Sequence, residues 1–423
     1  MLHRRRFCFK WTAIVIAYIC IFLLSYEFGT NHRYILETNT PTEPPVHLLI
    51  KKLFHDHPPY LNSSMILPMI EQELKRHLVV DMDISTKKKS STHHGLVVFY
   101  DYAYHHVYFR QFLWLFSSWS QLEENDRIHN DLVVFISSFN IPDDFQKLLN
   151  LTRKTSHRNQ LLIYPCQTLV DSILDQNYRF LSNFSPQFHM ELARLFYWQQ
   201  TRLSSLLLFL HEYSQEKLIK YDYIFRLDVD SFFMTDFARF QPTTSLILGQ
   251  AIPHDRYTLN RLKRITKYFH SQAKISVLPT SITISWFGKL NLLRQLIRQV
   301  LLMTVWLMKE EFTESERSHH LTYLNYPSWY IDGIFEYATA IILSLHQLNN
   351  SLSQSVSQFD CYHLLTHCLH ISLRDPSHHL HLSKHSLHFL TSINSSNLTQ
   401  NELYIYRTVI KSNEMFKAYF ADH

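Results

Sequence analysis

The chain has 423 residues, of which 46% are hydrophobic and 14% aromatic, a composition that supports one large or two medium packed domains and excludes a disordered chain. It has only five glycines, Gly29, Gly95, Gly249, Gly288 and Gly333, and their wide spacing excludes the glycine-rich phosphate loop, the dinucleotide fingerprint and the hydrolase nucleophile elbow. Most of the net charge of +5 comes from four basic residues among the first ten, so the rest is nearly neutral and offers no basic surface to nucleic acid.

The N-terminus has the pattern of a membrane anchor. A basic tail, residues 1–10, precedes an uncharged apolar run from Trp11 to Tyr26. This order predicts that the tail stays in the cytoplasm and the rest of the chain is lumenal. The alternative is a cleaved signal peptide, but the run is longer than a usual signal core and no small-residue cleavage site follows Leu24. We therefore expect a retained single-pass type II anchor over residues 11–28, short enough for early secretory membranes.

The residues beyond the anchor carry features of a lumenal protein. No glycosylation sequon precedes the anchor, and six follow it, at Asn62, Asn150, Asn183, Asn349, Asn394 and Asn397. Three cysteines also follow it, Cys166, Cys361 and Cys368, so at least one is free or pairs with another chain. Residues 29–92 are predicted to be a stem, because they contain the proline-rich TPTEPP and the polar STKKKSSTHH, with some helix near Met65–Leu78.

Strands and helices alternate along the body, residues 93–423. Apolar runs predict strands at 96–100, 131–138, 159–166, 221–227 and 245–252. Helices are predicted at 105–122, 190–213, 258–270 and 289–312. This alternation predicts an α/β fold with a mostly parallel sheet flanked by helices, in which ligands bind beyond the carboxyl ends of the strands. The last 60 residues are rich in histidine and serine and give no clear prediction.

Two aspartates follow the strand predicted at 221–227. In the segment RLDVDSFF, Asp228 and Asp230 come directly after Tyr223–Leu227, at the edge of the sheet where ligands bind. With one residue between them, a turn can direct both carboxylates to one hard cation such as Mg²⁺ or Mn²⁺. That cation would hold a diphosphate without a glycine loop. The alternative is a turn or helix cap, which is a common position for aspartate.

The anchor, the stem, the α/β body and the LDVD segment together resemble a type II Golgi glycosyltransferase of the GT-A fold. More narrowly, residues from about 95 to 390 are similar to a eukaryotic glycosyltransferase-like family of unknown function, through MELARLFYW, YIFRLDVDSFFMTDF, WFGKLNLLRQL, YPSWYIDGIFEYATAI and HLHLSKH. The resemblance implies a GT-A-like lumenal domain held at the Golgi membrane. It also implies transfer of a sugar from a nucleotide-sugar donor to a hydroxyl of a lumenal glycan, protein or lipid.

By the same resemblance, Asp228 and Asp230 hold a Mn²⁺ or Mg²⁺ ion that binds the donor diphosphate. In GT-A enzymes a histidine near the C-terminal end often completes the metal site. His381 is our first choice for that histidine, with His379 and His385 as alternatives.

Other candidates come from the residues themselves. Arg226 and Arg194 are candidates for contacting the diphosphate, and salt bridging to the carboxylates is an equal alternative. Asp332 is the candidate general base, with Trp329 stacked on a sugar face. The alternative for Asp332 is a helix N-cap, and Glu336 is a weaker candidate base.

Two further hypotheses stay open. The related family carries small residues and glycines where this chain has GQAIPHD and TSITISWFG, and close backbone approach to a sugar donor favours glycine. The chain is therefore alternatively a catalytically inactive lumenal protein that keeps the fold and binds a glycan or a partner. The third hypothesis is a histidine-rich metal-binding membrane protein, because His363, His367 and His370 have helical spacing.

Overall fold

The structure is a computed structural model that describes residues 63–75, 91–154, 158–166, 202–242, 246–248, 255–269, 285–313, 316, 329, 331–346, 368–370 and 400–420. The chain divides into two units, Met1–Pro59 and Tyr60–His423, and every described residue belongs to the second. The predicted tail and the anchor over residues 11–28 lie outside the described residues. Within the described ranges, no helix is long and apolar enough to cross a membrane.

The described residues contain a six-stranded sheet and a two-stranded sheet. The strands in chain order are β1 (Thr92–Tyr100), β2 (Ile128–Ile136), β3 (Leu161–Pro165), β4 (Tyr223–Leu227), β5 (Ser231–Phe233), β6 (Leu246–Leu248), β7 (Trp286–Gly288) and β8 (Cys368–His370). The large sheet has the order β3-β2-β1-β4-β7-β6, in which β1 to β4 are parallel and β7 is antiparallel to both neighbours. This mostly parallel sheet confirms the predicted α/β class, and β5 pairs with β8 in the small sheet.

The central strands form because their sequences are apolar on both faces. Leu96 and Val97, on opposite faces of β1, are 0% and 1% exposed, and Leu132 and Val133 of β2 are both 0% exposed, as expected for parallel strands covered on both sides. The structure starts β1 at Thr92, earlier than the prediction of 96. Two histidines at the start of this strand are held by side chains of β2, which explains why this polar segment joins the sheet.

Eight helices with both ends among the described residues accompany the sheets. They are α1 (Ser63–Leu74), α2 (His105–Trp119), α3 (Asp143–Lys154), α4 (Glu212–Leu218), α5 (Arg256–Phe269), α6 (Leu290–Trp306), α7 (Ile334–Leu345) and α8 (Gln400–Tyr419). The prediction of one helix over 190–213 is wrong at its end. Residues 202–207 are helical and lead into a 3-10 turn, and His211 is then extended and accepts a hydrogen bond from the Tyr213 N–H at 3.0 Å as the N-cap of α4.

Helix α1 lies in the predicted stem, yet it packs on the body. Ile70 and Leu74 are buried, with exposed fractions of 0% and 2%. Glu71 Oε1 accepts hydrogen bonds from Trp306 Nε1 at 3.2 Å and from the Tyr268 hydroxyl at 3.0 Å. Residues 63–74 therefore belong to the folded body and do not act as a simple linker.

The C-terminal helix α8 packs on α2. The rings of Phe109 and Phe420 meet edge to face at 5.1 Å, and the Arg110 guanidinium lies 4.9 Å from the centre of the Phe416 ring. The amino-acid pattern of this region predicts no clear element. The structure also corrects the helical spacing proposed for His363, His367 and His370, because His370 lies in strand β8 and the other two are outside the described residues.

Candidate functional site

The order of the strands reverses between β1 and β4. After β1 the chain places β2 and β3 on one side, and it then returns to place β4 on the other side of β1. In open α/β sheets, ligands bind at the carboxyl ends of the strands that flank such a reversal. Leu227, the last residue of β4, pairs with Val98 near the end of β1. The residues that follow these strands, Asp228 and Asp101, therefore flank the expected binding crevice.

The loop after β1 is tied to the loop after β2 through Asp101. This side chain is only 3% exposed. Its Oδ1 accepts hydrogen bonds from the Ala103 N–H at 3.2 Å and from the Ser137 hydroxyl at 3.0 Å. Ser137 Oγ in turn accepts a hydrogen bond from the Tyr102 N–H at 2.8 Å. These bonds fix a third carboxylate at the same edge as Asp228 and Asp230, a residue that the sequence interpretation missed.

The predicted acid pair lies in a tight turn between β4 and β5. Asp228 is half-buried, Asp230 is 5% exposed, and the Ser231 N–H closes the turn on the Asp228 carbonyl at 3.2 Å. One residue separates the two aspartates in this turn, and Asp230 is the more buried of the two. A carboxylate that is drawn out of water is stabilised by a nearby cation.

The phenol of Tyr108, in the first turn of α2, has a pKa that responds to the carboxylates at this edge. Burial and the nearby carboxylates of Asp101, Asp230 and Asp228 raise the pKa of its phenol to about 12. All three aspartates therefore act on one hydroxyl, which places them around a common region. The hydroxyl stays protonated at physiological pH and can donate a hydrogen bond there.

Arg226 lies behind the acid pair, in the body of β4. Its side chain is 1% exposed, its guanidinium lies 5.6 Å from the centre of the Trp286 ring, and it donates a hydrogen bond to the Ser205 hydroxyl. Burial lowers its pKa to about 10, and the charge of Asp228 works against that shift. The guanidinium therefore interacts with Asp228 electrostatically. It is too deeply buried to contact a ligand.

Glu336 and Arg202 form an ion pair close enough to Arg226 to affect it electrostatically. Arg202 Nη1 lies 3.2 Å from Glu336 Oε1, and both residues contribute to the electrostatic field at Arg226. Glu336 Oε2 is buried and has no hydrogen-bond partner among the residues that the structure describes. The catalytic role suggested for Glu336 stays a prediction.

The donor atoms at this edge suit a hard cation, since carboxylate oxygens are the preferred ligands of Mg²⁺ and a good match for Mn²⁺. In the part of the chain that the structure describes, no group of three or more His, Cys, Asp and Glu side chains could hold a metal ion. His381, His379 and His385 lie outside the described residues. His370, the last residue of β8, pairs with Ser231, which directly follows Asp230 in the sequence.

A family model described as "Domain of unknown function (DUF7164)" matches residues 88–419. The chain belongs to this family. The match starts just before β1 and ends at the last residue of α8, so the DUF7164 domain includes both sheets, the acid pair and the C-terminal helix. A search of curated proteins finds no match.

Three solved glycosyltransferase structures are distantly similar to the DUF7164 chain. Mouse Xyloside xylosyltransferase 1 in its apo form is 11% identical, covers 62% of this chain and 84% of its own, and gives a TM-score of 0.34. The mannosyltransferase Ktr4p from S. cerevisiae in complex with GDP is 12% identical, with coverages of 72% and 82% and a TM-score of 0.33. Core-mannan synthase A from Aspergillus fumigatus in its Mn/GDP form is 10% identical, with coverages of 62% and 72% and a TM-score of 0.32. TM-scores this low do not show a shared fold.

The DUF7164 structure corrects the role predicted for Trp329. Its ring is 4% exposed, stacks on Tyr337 at 4.3 Å and on Phe312 at 5.1 Å, and has the Arg261 guanidinium 4.4 Å from its centre. Because these groups cover the ring, Trp329 does not stack on a sugar here.

Of the two remaining predicted residues, the structure describes only the backbone of Asp332 and does not describe Arg194. The backbone of Asp332 forms part of the 3-10 turn Ile331–Gly333, and its side chain is outside the described part of the DUF7164 domain. The N-cap position of α7 belongs to Gly333, so Asp332 is not the N-cap that the alternative interpretation expected. Arg194 also lies outside the described residues.

Proposed function

We propose that this DUF7164 protein is a metal-dependent glycosyltransferase that moves a sugar from a nucleotide-sugar donor to a hydroxyl of a lumenal glycan, protein or lipid. The observation that carries the proposal is the position of Asp228 and Asp230, at the carboxyl end of β4 and beside the strand-order reversal. We further propose that the protein is held in the Golgi membrane by residues 11–28, with the body in the lumen.

In this proposal, Asp228 and Asp230 hold a Mn²⁺ or Mg²⁺ ion, and His381 completes its ligands. A cation held by these residues would supply positive charge for the donor diphosphate and for the leaving group. The carboxylate of Asp101, fixed by Ser137 and the Ala103 N–H, closes the crevice on its other side. Without a cation, three carboxylates at one edge would repel a diphosphate, so nucleotide binding should depend on the metal.

The charged residues around the pair have supporting roles in the proposal. Buried Arg226 interacts electrostatically with Asp228 and supplies a positive charge behind the acid pair. Arg194 is proposed to contact the diphosphate directly. Asp332 is proposed as the general base that takes the proton of the acceptor hydroxyl. Glu336 competes for that role, because its buried Oε2 has no described partner and its charge reaches Arg226 behind the metal site.

The test is metal-dependent nucleotide binding by the full-length protein, purified in detergent. Calorimetry with a panel of nucleoside diphosphates, with and without Mn²⁺, should show binding only when the metal is present. Asp228→Asn combined with Asp230→Asn should abolish it. Asp236→Asn is the matched control, since it changes an exposed aspartate a few residues downstream and should bind like the wild type.

Each outcome decides something specific. If no nucleoside diphosphate binds in the presence of Mn²⁺, the enzyme proposal fails. If binding survives in the double variant, the assignment of the metal to Asp228 and Asp230 is wrong. If the nucleotide binds but no member of a nucleotide-sugar panel is hydrolysed or transferred, the inactive binding protein becomes the better account.

A further inference from the structure

The strand that follows the acid pair is held on both of its edges. On one edge β5 pairs with β8 through Ser231↔His370, Phe232↔Leu369 and Phe233↔Cys368. On the other edge, the Phe233 N–H donates to Ser118 Oγ at 3.1 Å, and the Phe233 carbonyl accepts from the Tyr404 hydroxyl at 2.9 Å. The N–H and carbonyl of one strand residue point to the same side, so Phe233 directs both groups away from β8.

These two side chains come from different helices. Ser118 lies in α2 and is fully buried, and its hydroxyl donates to the Leu115 carbonyl at 2.8 Å while it accepts from Phe233. Tyr404 lies in α8, 171 residues along the chain from Phe233. Burial raises the pKa of the Tyr404 phenol to about 12, so its hydroxyl remains a donor at any physiological pH. The N–H and the carbonyl of Phe233 therefore both have a side-chain partner on this edge.

The C-terminal helix is well placed to act as a fixed support. Ile405 and Val409 are buried, at 2% and 0% exposure, and Phe420 belongs to the same apolar core as Phe233. Phe420 also packs edge to face on Phe109 of α2. The helix that carries Tyr404 is thus anchored on α2, the same helix that supplies Ser118. Phe233 lies only three residues after Asp230, so movement of β5 would move the turn that carries the carboxylates.

We propose that Tyr404 is a positioning residue, through which the C-terminal helix holds β5 and thereby keeps Asp228 and Asp230 in their metal-binding geometry. The proposal rests on the metal role of Asp228 and Asp230 that is proposed above. If the turn samples geometries in which the carboxylates diverge, the apparent metal affinity falls in proportion to the population of the competent geometry.

The test uses the full-length protein in detergent and three single variants in α8. Tyr404→Phe removes only the hydroxyl. Tyr419→Phe is its chemical control, because it removes the same group from a half-exposed tyrosine of the same helix. Val409→Ala is the stability control, because it removes buried methyl groups from the helix and leaves the hydrogen bond to Phe233 in place. Mn²⁺ binding is followed by electron paramagnetic resonance, stability by thermal unfolding, and local opening of residues 229–235 by hydrogen–deuterium exchange.

We expect Tyr404→Phe to weaken Mn²⁺ binding by about 3- to 10-fold, the range that loss of one hydrogen bond produces. It should also speed exchange of the β5 amides. Tyr419→Phe should match the wild type in both respects, and Val409→Ala should lower the melting temperature without weakening Mn²⁺ binding. Wild-type Mn²⁺ affinity in Tyr404→Phe, or an equal loss in Val409→Ala, would overturn the proposal.

The failure of the metal site itself is distinguishable from the failure of this inference. If the wild-type protein binds no Mn²⁺, the proposed function fails. Hydrogen–deuterium exchange of the β5 amides then tests separately whether Tyr404 supports this strand. Unchanged exchange in Tyr404→Phe would then overturn the support by the C-terminal helix as well. Faster exchange confined to that variant would support it.

Discussion

We predict that burial of His94 makes the folded protein less stable in acid. Its side chain on β1 is completely buried, and its Nδ1 lies 2.9 Å from the amide oxygen of Asn130. An amide oxygen only accepts, so Nδ1 carries the proton of the neutral ring, and Nε2 is buried without a partner in the described part of the chain. The rings of Tyr223, Phe237 and Phe287 surround it. Burial lowers its pKa from 6.5 to about 4, and the Asn130 hydrogen bond opposes this shift only in part.

The sign and size of the effect follow from proton linkage. Because the pKa is lower in the folded state, the unfolded chain binds more protons between the two pKa values, and stability falls as the pH falls through 6.5. With these two values, protonation of the unfolded chain costs about 1.4 kcal/mol of stability at pH 5.5. The loss is nearly complete at pH 4, where it reaches about 3 kcal/mol. A mildly acidic lumen would already lie on this slope.

The measurement is urea unfolding of the full-length protein at pH 7.5 and pH 5.5, with a variant that cannot gain the proton. His94→Asn keeps a side-chain N–H for the Asn130 oxygen, and it should be less stable than the wild type at pH 7.5 because it leaves a cavity. Its further loss between the two pH values should be smaller by about 1.4 kcal/mol. His106→Asn, at an exposed position, should keep the wild-type dependence. An equal pH-dependent loss in His94→Asn and the wild type would refute the reasoning.

Three further changes test the packing and the topology. Ile70→Ala should lower the free energy of unfolding by about 2–5 kcal/mol in denaturant titrations, and an unaffected protein would show that α1 does not belong to the folded body. Gly95→Ala should cost about 1–3 kcal/mol because its Cβ would lie 2.7 Å from the Tyr221 ring, and adding Tyr221→Ala should recover part of that loss in a double-mutant cycle. Asn150, exposed on α3, should carry a glycan, so glycosidase treatment should lower the mass of the wild type more than that of Asn150→Gln; equal shifts would contradict this.

The parts of the fold that the sequence predicted are those with a strong local signal. Strands β1 to β4 are continuous apolar runs, and a buried parallel strand needs no more than that to be recognised. The small sheet is different, because β5 and β8 are three residues each and His370 lies 139 residues after its partner Ser231. Such short segments have no periodicity, and their pairing depends on contacts that only the fold creates. Helix α8 is long, but its many polar residues weaken the apolar periodicity that would predict a helix from the sequence.

The same distinction explains the candidate site. The position of Asp228 and Asp230 was predictable because two acids with a fixed spacing follow an apolar run. Asp101 also follows a predicted strand, but a single aspartate after a strand has no spacing that sets it apart from a turn residue. The burial of Arg226 was not visible, because it depends on Trp286 from a strand that is distant in sequence. The same holds for Trp329, because the sequence does not show that Tyr337, Phe312 and Arg261 cover the ring predicted to stack on a sugar.

The use of glycine in the fold bears on how the site can bind an anion. Within the described residues, Gly95 and Gly333 each lie where an added Cβ would come within 2.8 Å of a tyrosine ring, Tyr221 and Tyr337 respectively. Both glycines therefore serve internal packing, and neither opens the backbone to a ligand. A backbone nest binds phosphate through main-chain N–H groups, whereas the described edge beyond β1 and β4 carries the carboxylates of Asp101, Asp228 and Asp230. Carboxylates repel a diphosphate unless a cation lies between them, which is the physical reason for proposing a metal at this edge.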